Sequence, residues 1–273
     1  MNIAYLRGQI YFSWSKTYHY TFAQMRPEVS IIIPAFNESD RLGSPLRTIA
    51  EYLAKSGVSA EIIVVDDGSS DDTAFVAERI LEEASHLPSN VIRYEENRGK
   101  GFAVKTGLLA ARADIALFTD ADLSTPIKEM SKLIDPIRTG EYDLTFGSRA
   151  LDRSLIGTHQ SAFRENGGRL VNLMIRKLSG LDFSDTQCGF KAFNMTKFRP
   201  LLDVMTIDRF GFDVEFLFVA KYHGLRLAEI PVRWNDVAGS KVSAVRDTRR
   251  MFSELMQIRR NARSGVYEKI QTG

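Results

Sequence analysis

From residue 29 onward the sequence alternates between short runs of β-branched residues and longer amphipathic stretches, and this alternation constrains the fold more than any other feature. It predicts strands at 29–36, 61–66, 91–94, 115–119 and 143–147, and helices at 42–56, 72–85 and 101–112. Strand followed by helix, repeated, is typical of a mostly parallel sheet with helices on both faces, a Rossmann-like α/β fold. Ligands bind such sheets beyond the carboxyl ends of the strands, so the residues that follow each strand are where chemistry is expected.

The second half of the chain is less regular. The pattern there predicts helices at 164–178, 212–222 and 244–263 and a strand at 225–234. No internal repeat, low-complexity tract or linker rich in Gly, Pro or Ser interrupts it. We therefore expect one domain at 27–242, preceded by an aromatic extension at 1–26 and followed by a basic amphipathic helix and tail at 243–273.

Composition excludes several classes of protein. The single cysteine, Cys188, rules out an intramolecular disulfide and a thiolate zinc cluster. A net charge of +2 over 273 residues is too close to balance for a surface built to bind nucleic acid. No run of roughly 18 to 20 uninterrupted apolar residues is present, nor a signal-peptide pattern. We expect a cytoplasmic protein with no membrane-spanning helix.

Polar residues follow the first two predicted strands. The first strand runs through Pro34 to Glu38, a weak signal because Glu38 could simply cap the next helix. The second ends in Asp66 and Asp67, whose carboxylates can accept hydrogen bonds from a nucleobase N–H and a ribose hydroxyl, while Gly68 permits close approach of a flat ring. An Asx-rich turn that caps the next helix is the alternative interpretation.

The fourth predicted strand delivers the sharpest signal, the pair Asp120 and Asp122 on either side of Ala121. Two carboxylates at the end of a buried strand are costly unless a cation lies between them. With no Cys or His nearby, their hard oxygen ligands suit Mg²⁺ or Mn²⁺ bridging a diphosphate. A solvated turn is the alternative. Upstream, Lys100 opens a helix whose amino end could attract phosphate.

Together these motifs resemble the nucleotide-sugar half of a GT-A type, family 2 glycosyltransferase. The resemblance implies a GT-A fold with a nucleotide-sugar half at 27–125 and an acceptor half at 126–242. It also implies metal binding by Asp120 and Asp122. The donor-binding residues that it implies are Pro34, Ala35, Glu38, Asp66, Asp67, Gly68, Lys100, Asp120 and Ala121.

The second half narrows the resemblance. Phe-Gly-Ser-Arg at 146–149, Asp-Thr-Gln-Cys-Gly-Phe-Lys at 185–191 and Phe-Asp-Val-Glu at 212–215 occur in an order similar to the dolichyl-phosphate β-glucosyltransferases and bacterial polyprenyl-phosphate relatives. This implies transfer of a hexose, glucose from UDP-glucose, to a polyprenyl phosphate. Dolichyl-phosphate mannosyltransferases share the first half, so GDP-mannose is an alternative donor. The membrane helices that some of these relatives carry are not expected in this chain.

The acceptor decides which residues take part in catalysis. A lipid phosphate is already anionic near neutral pH, so it needs a cationic cradle rather than a strong base, and Arg149, Arg164 and Arg169 are the candidates. A hydroxyl acceptor would instead need a carboxylate base, for which Asp213 or Glu215 is available. We expect Asp122, Arg149 and Asp213 to be the catalytic residues, with a nucleotide-sugar binding protein as the non-enzymatic alternative.

Both ends of the chain have a distinct composition. Seven of the 28 aromatic residues lie in the first 22 positions, which fits an interfacial anchor, a docking arm or non-native sequence. The helix predicted at 244–263 carries six arginines, and an apolar face is expected on it, formed by Val245, Phe252, Leu255 and Met256. Such a helix can lie on an anionic membrane surface at the inner face of the cytoplasmic membrane, or it can pack that face on the domain.

Overall fold

The structure is a computed structural model that describes residues 2–6, 9–13, 26–158, 162–237, 244–268 and 270. Within these ranges, side chains are described for 26–157, 171–237, 250–268 and 270. The first two strands, β1 (Asn2–Leu6) and β2 (Gln9–Ser13), form an antiparallel hairpin. Of the predicted aromatic extension at 1–26, only residues 2–6, 9–13 and 26 are described, and its role as an anchor or a docking arm, or its origin as non-native sequence, stays a prediction.

A seven-stranded sheet forms the centre of the molecule. After the hairpin, the chain forms nine further described strands, seven of which make up this sheet. They are β3 (Val29–Ala35), β4 (Ala60–Asp66), β5 (Ser89–Arg93), β6 (Ile115–Thr119), β7 (Leu144–Ser148), β8 (Ile156–Thr158), β9 (Phe190–Asn194), β10 (Leu227–Pro231) and β11 (Trp234–Asn235). The sheet order is β10-β7-β9-β6-β3-β4-β5, while β8 and β11 pair separately. All neighbours in the sheet are parallel except β9, which runs antiparallel to β6 and β7. The predicted mostly parallel sheet is confirmed.

Helices cover both faces of this sheet. They are α1 (Gly43–Ser56), α2 (Thr73–Glu83), α3 (Lys100–Ala110), α4 (Met130–Arg138), α5 (Ala162–Ser179), α6 (Met195–Phe198), α7 (Phe212–Tyr222) and α8 (Ala244–Arg263), with 3₁₀ turns at Ile127–Glu129, Arg153–Leu155, Arg199–Val204 and Val266–Glu268. Ile32 belongs to one hydrophobic core, while its neighbours Ile31 and Ile33 belong to the other. Because successive side chains of a strand point to opposite faces, β3 is buried from both sides, as the apolar run predicts.

The strand predicted at 225–234 is interrupted, and β9 and α4 are among the elements that the sequence did not predict. Two separate strands, β10 and β11, occupy the predicted stretch and pair with different partners. Strand β9 contains Lys191, which is fully buried and breaks the apolar pattern that marks a buried strand. Helix α4 contains Pro136, a residue that normally ends a helix.

The terminal helix α8 packs on the domain. Met251, Leu255 and Ile258 are buried in the hydrophobic core, whereas Phe252 and Met256 are exposed. The four-residue apolar face predicted from the sequence is therefore divided, with Leu255 inside, and the side chain of Val245 lies outside those described. Of the helices that the structure describes, none combines the length and the apolar content needed to cross a bilayer.

Candidate active site

A cleft of about 410 Å³ opens at the carboxyl ends of β3, β4 and β6. This is where ligands bind open α/β sheets. The cleft brings together eight of the residues predicted from the sequence: Pro34, Ala35, Glu38, Asp67, Lys100, Asp120, Ala121 and Asp122.

The other two predicted donor residues, Asp66 and Gly68, do not line the cleft. Asp66 is fully buried, accepts a hydrogen bond from the Ser69 amide at 2.9 Å, and lies 3.4 Å from Nε of Arg93. Gly68 has a φ of 69°, and a Cβ there would lie 2.6 Å from the backbone of Glu96. Both residues shape the turn that presents Asp67, so their place is beneath the site.

Asp67 organises the loop that leads into α3. Its carboxylate accepts hydrogen bonds from the Tyr94 hydroxyl (2.7 Å), the Asn97 amide side chain (2.8 Å) and the backbone amides of Arg98 and Gly99 (2.8 Å each). Burial raises the pKa of Asp67, although these donors oppose the shift. A carboxylate offers about four acceptor positions, so most of its capacity is used within the protein.

Asp120 and Asp122 face the cleft beside Lys100. Oδ1 of Asp120 lies 2.6 Å from Nζ of Lys100. Burial alone would lower the pKa of Lys100, but the carboxylates of Asp120 and Asp213 outweigh it and raise that pKa. Asp122 accepts a hydrogen bond from the Ser124 amide at 3.0 Å, within a tight turn after β6.

The donor set of this pair fits a hard divalent cation. Among the described residues no group of three or more His, Cys, Asp or Glu is placed to hold a metal. Mg²⁺ in nucleotide-dependent enzymes is held by one or two carboxylates and completes its coordination with phosphate oxygens and water. Asp120 and Asp122 match that arrangement, in which two protein carboxylates and the phosphate oxygens of a bound nucleotide hold the metal together.

Arg149 lies at the end of β7, outside the cleft lining. Its Nε and Nη2 donate to the two carboxylate oxygens of Asp185 at 2.7 and 2.8 Å, which leaves Nη1 outside the pair. Although burial would raise the pKa of Asp185, the guanidinium outweighs it and lowers that pKa. Glu229 accepts the Asp185 amide at 2.7 Å and so fixes the carboxylate that orients Arg149. Arg164 and Arg169 belong to α5, but their side chains are outside those described, so their roles remain predictions.

Asp213 is held by a buried lysine. Its Oδ1 lies 2.6 Å from Nζ of Lys191, which also donates to the Cys188 carbonyl at 2.6 Å. Asp213 is 5% exposed and does not line the cleft. Burial raises its pKa, opposed by Lys191 and Lys100. This geometry favours a structural role over that of a general base.

Glu215 is equally committed to the fold. It is fully buried and accepts hydrogen bonds from the amides of Thr206 and Ile207 and from the hydroxyl of Tyr267. A carboxylate with this many internal donors is not available to take a proton from an acceptor hydroxyl.

Comparison with known proteins assigns the chain to a family. The model of the family described as "Glycosyl transferase family 2" matches residues 30–200, more than half of the chain. The chain belongs to glycosyl transferase family 2. The predicted resemblance is confirmed, and the protein is a glycosyltransferase.

Relatives of this family 2 glycosyltransferase are similar over most of its length. A dolichyl-phosphate beta-glucosyltransferase of Dictyostelium discoideum is 31% identical over 250 residues, covering 88% of this chain and 76% of the relative. The Drosophila melanogaster protein of that name is 34% identical over 242 residues, covering 85% and 74%. Glucosyl-3-phosphoglycerate synthase from Mycobacterium tuberculosis, in complex with Mn²⁺, UDP-glucose and phosphoglyceric acid, superimposes with a TM-score of 0.63 at 20% identity, covering 93% of this chain and 86% of that one. This last likeness shows the fold.

The cleft of this family 2 glycosyltransferase also contains residues that the sequence did not identify. They are Phe36, Arg41, Asn97, Gly99, Ala103, Arg209 and Phe210. Asn97 and Gly99 lie in the loop just before Lys100, which the sequence did mark, but Arg209 and Phe210 follow no strand of the sheet. A search limited to the residues that directly follow predicted strands therefore misses them.

Proposed function

We propose that this chain is a metal-dependent, inverting glycosyltransferase that moves a hexose, glucose from UDP-glucose, onto a polyprenyl phosphate. The observation that carries the proposal is the cleft at the strand ends, where Asp120, Asp122 and Lys100 meet. Similarity to dolichyl-phosphate beta-glucosyltransferases over most of both chains supports the sugar and the lipid acceptor.

On the donor side, Asp120 and Asp122 would hold Mg²⁺ or Mn²⁺, which supplies positive charge for the leaving diphosphate. Lys100 stands 2.6 Å from Asp120 at the first turn of α3, so its ammonium and the helix amino end add to that charge. Phe36 lies on the cleft wall with 39% of its surface exposed, a position from which its ring can pack against the nucleobase. Attack by the acceptor from the face opposite the diphosphate inverts the configuration at the anomeric carbon.

On the acceptor side, the arrangement favours a phosphate over a hydroxyl. Asp213 is paired with Lys191, and Glu215 is saturated with hydrogen bonds, so neither is placed to act as a base. A phosphate near neutral pH is already the nucleophile and needs orientation. Arg149, fixed by Asp185, can give that orientation through its guanidinium, with Arg164 and Arg169 as further proposed contacts.

An acceptor panel tests this proposal. With UDP-glucose labelled in the glucose, and with Mg²⁺ or Mn²⁺, we expect the label to enter undecaprenyl phosphate. We expect EDTA to abolish the transfer. Undecaprenol, which has the same chain without the phosphate, is the matched control and should remain unlabelled. Labelling of hydroxyl acceptors alone would contradict the lipid phosphate. A preference for GDP-mannose would contradict the donor, and UDP binding without any turnover would indicate a binding protein.

We further propose that the protein is cytoplasmic and acts at the inner face of the cytoplasmic membrane, bound peripherally through α8. Phe252 and Met256 on that helix are exposed, and Arg260 and Arg263 are exposed near its carboxyl end. Apolar side chains beside arginines suit an anionic lipid surface.

Vesicle flotation measures this directly. We expect the wild-type protein to float with anionic vesicles at low salt and the Phe252→Asp/Met256→Asp variant to remain at the bottom. Because both side chains are exposed, the buried stripe of α8 should be undisturbed. Phe75→Asp, at an exposed phenylalanine on α2, is the control that should still float. A wild-type protein that fails to float, or a double variant that floats equally well, would contradict the assignment.

A further inference from the structure

Arg209 differs from the other cations of the cleft. Arg41 is paired with the Glu38 carboxylate and Lys100 with Asp120, each at 2.6 Å. Within the described part of the chain Arg209 has no carboxylate at ion-pair distance, and its contact is a long one, 3.4 Å from Nη1 to Oδ1 of Asn97. The carboxylates of Asp67 and Glu254 attract Arg209 only from beyond ion-pair distance. This half-buried guanidinium, which lines the cleft, is therefore placed to bind an anion.

The loop that carries Arg209 is fixed at both ends. At its start, Glu215 accepts the backbone amides of Thr206 at 2.9 Å and Ile207 at 2.8 Å. At its end, Glu254 of α8 accepts the amide of Gly211 at 2.7 Å. The loop at 206–211 is therefore held by two carboxylates, one of them supplied by the terminal helix.

The carboxyl-terminal segment reinforces the first of these carboxylates. Tyr267 is fully buried, and its hydroxyl donates to Oε1 of Glu215 at 2.8 Å. Asn261 donates to the hydroxyl of Thr206 at 2.8 Å. The segment after α7 thus reaches back to the loop that lines the cleft.

The same loop rests on the amino end of α3. The Asp208 carbonyl accepts the Phe102 amide at 3.0 Å. A Cβ at Gly99 would lie 2.4 Å from that carbonyl oxygen, and a Cβ at Gly101 would lie 2.6 Å from Cβ of Phe212. The two glycines allow the loop to approach closely, so Arg209 lies at the positive end of a helix, where a phosphate is favoured.

We propose that Arg209 binds a phosphate of the nucleoside diphosphate donor, and that the carboxyl-terminal segment, through Glu254 and Tyr267, positions it. This inference rests on the proposed function, because it assumes a nucleoside diphosphate in the cleft. Arg209 is a binding residue, and Tyr267 is a positioning residue that acts through Glu215 and the loop.

Calorimetric titration with UDP and with uridine tests the proposal. A charge-assisted hydrogen bond contributes enough that Arg209→Gln should weaken UDP binding by about tenfold or more. Uridine, which lacks the phosphates, should bind both proteins equally. Arg209→Lys keeps the charge and should recover part of the loss. Arg79→Gln, at an exposed arginine on α2, is the matched control and should bind UDP like the wild type.

The positioning role has its own variant. Tyr267→Phe removes one hydroxyl from a site that is otherwise unchanged, and it should weaken UDP binding by about threefold while uridine binding stays constant. A purely structural role would alter both ligands or neither. Arg209→Gln with wild-type affinity for UDP, or with equal losses for UDP and uridine, would overturn the inference. A wild-type protein that binds neither UDP nor GDP would instead overturn the proposed function.

Discussion

Replacing Asp122 by alanine is expected to reduce glycosyl transfer by about a thousandfold or more, because the metal proposed to offset the charge of the leaving diphosphate would lose one of its two carboxylates. The fold should survive. Asp122 is partly exposed, and its one hydrogen bond with a described partner comes from the Ser124 amide in the same turn. Electron paramagnetic resonance of free Mn²⁺ should show weaker metal binding, and thermal unfolding should be close to that of the wild type.

Two further variants make this result specific. Asp122→Asn retains an oxygen that can accept the Ser124 amide but removes the charge, so it should lose activity nearly as completely as Asp122→Ala. Asp203→Ala, at an exposed aspartate in the 3₁₀ turn Arg199–Val204, should behave like the wild type. Metal-dependent turnover retained in Asp122→Ala would contradict the assignment of the metal site.

The strands at the centre of the sheet could be predicted because most of their residues are apolar. All seven residues of β3 and of β4 are buried. Each strand contains consecutive apolar residues, a pattern typical of strands that are covered on both faces. Strand β9 could not be predicted in this way, since Lys191 is the second of its five residues. That lysine is tolerated because Asp213, 22 residues away, neutralises it, and the pairing depends on tertiary structure.

The meeting of the carboxylates in the proposed donor site could be predicted for a related reason. A parallel sheet collects the ends of its strands at one edge, so Asp67, Asp120 and Asp122 had to lie near one another. Arg209 reaches the same cleft only because α8 and α3 hold its loop, and no local pattern marks it. The catalytic role predicted for Asp213, as one of two candidate bases for a hydroxyl acceptor, stays a prediction, and its buried pairing with Lys191 is not indicated by the sequence around it.

Replacing Gly189 by alanine is expected to lower kcat/KM by about a hundredfold, although Gly189 lies outside the residues that line the cleft. A Cβ at this position would lie 2.0 Å from Oδ2 and 2.4 Å from Cγ of Asp120. The carboxylate has little freedom to retreat, because Lys100 lies 2.6 Å from its other oxygen and the Asp120 amide donates to the Gly189 carbonyl at 3.2 Å. An alanine side chain would therefore force the Asp120 carboxylate to rotate. That rotation would move it away from Asp122, with which it is proposed to hold the metal.

Mn²⁺ affinity distinguishes this displacement from a general loss of stability. The φ of Gly189 lies outside the left-handed region, so an alanine acts here through contact rather than backbone strain. We expect Gly189→Ala to bind Mn²⁺ more weakly than the wild type at a temperature where both are folded. Gly43→Ala is the control, since a Cβ there meets its nearest side chains at 3.7 Å, an ordinary contact. If Gly189→Ala binds Mn²⁺ and turns over like Gly43→Ala, the packing of residue 189 does not set the position of Asp120.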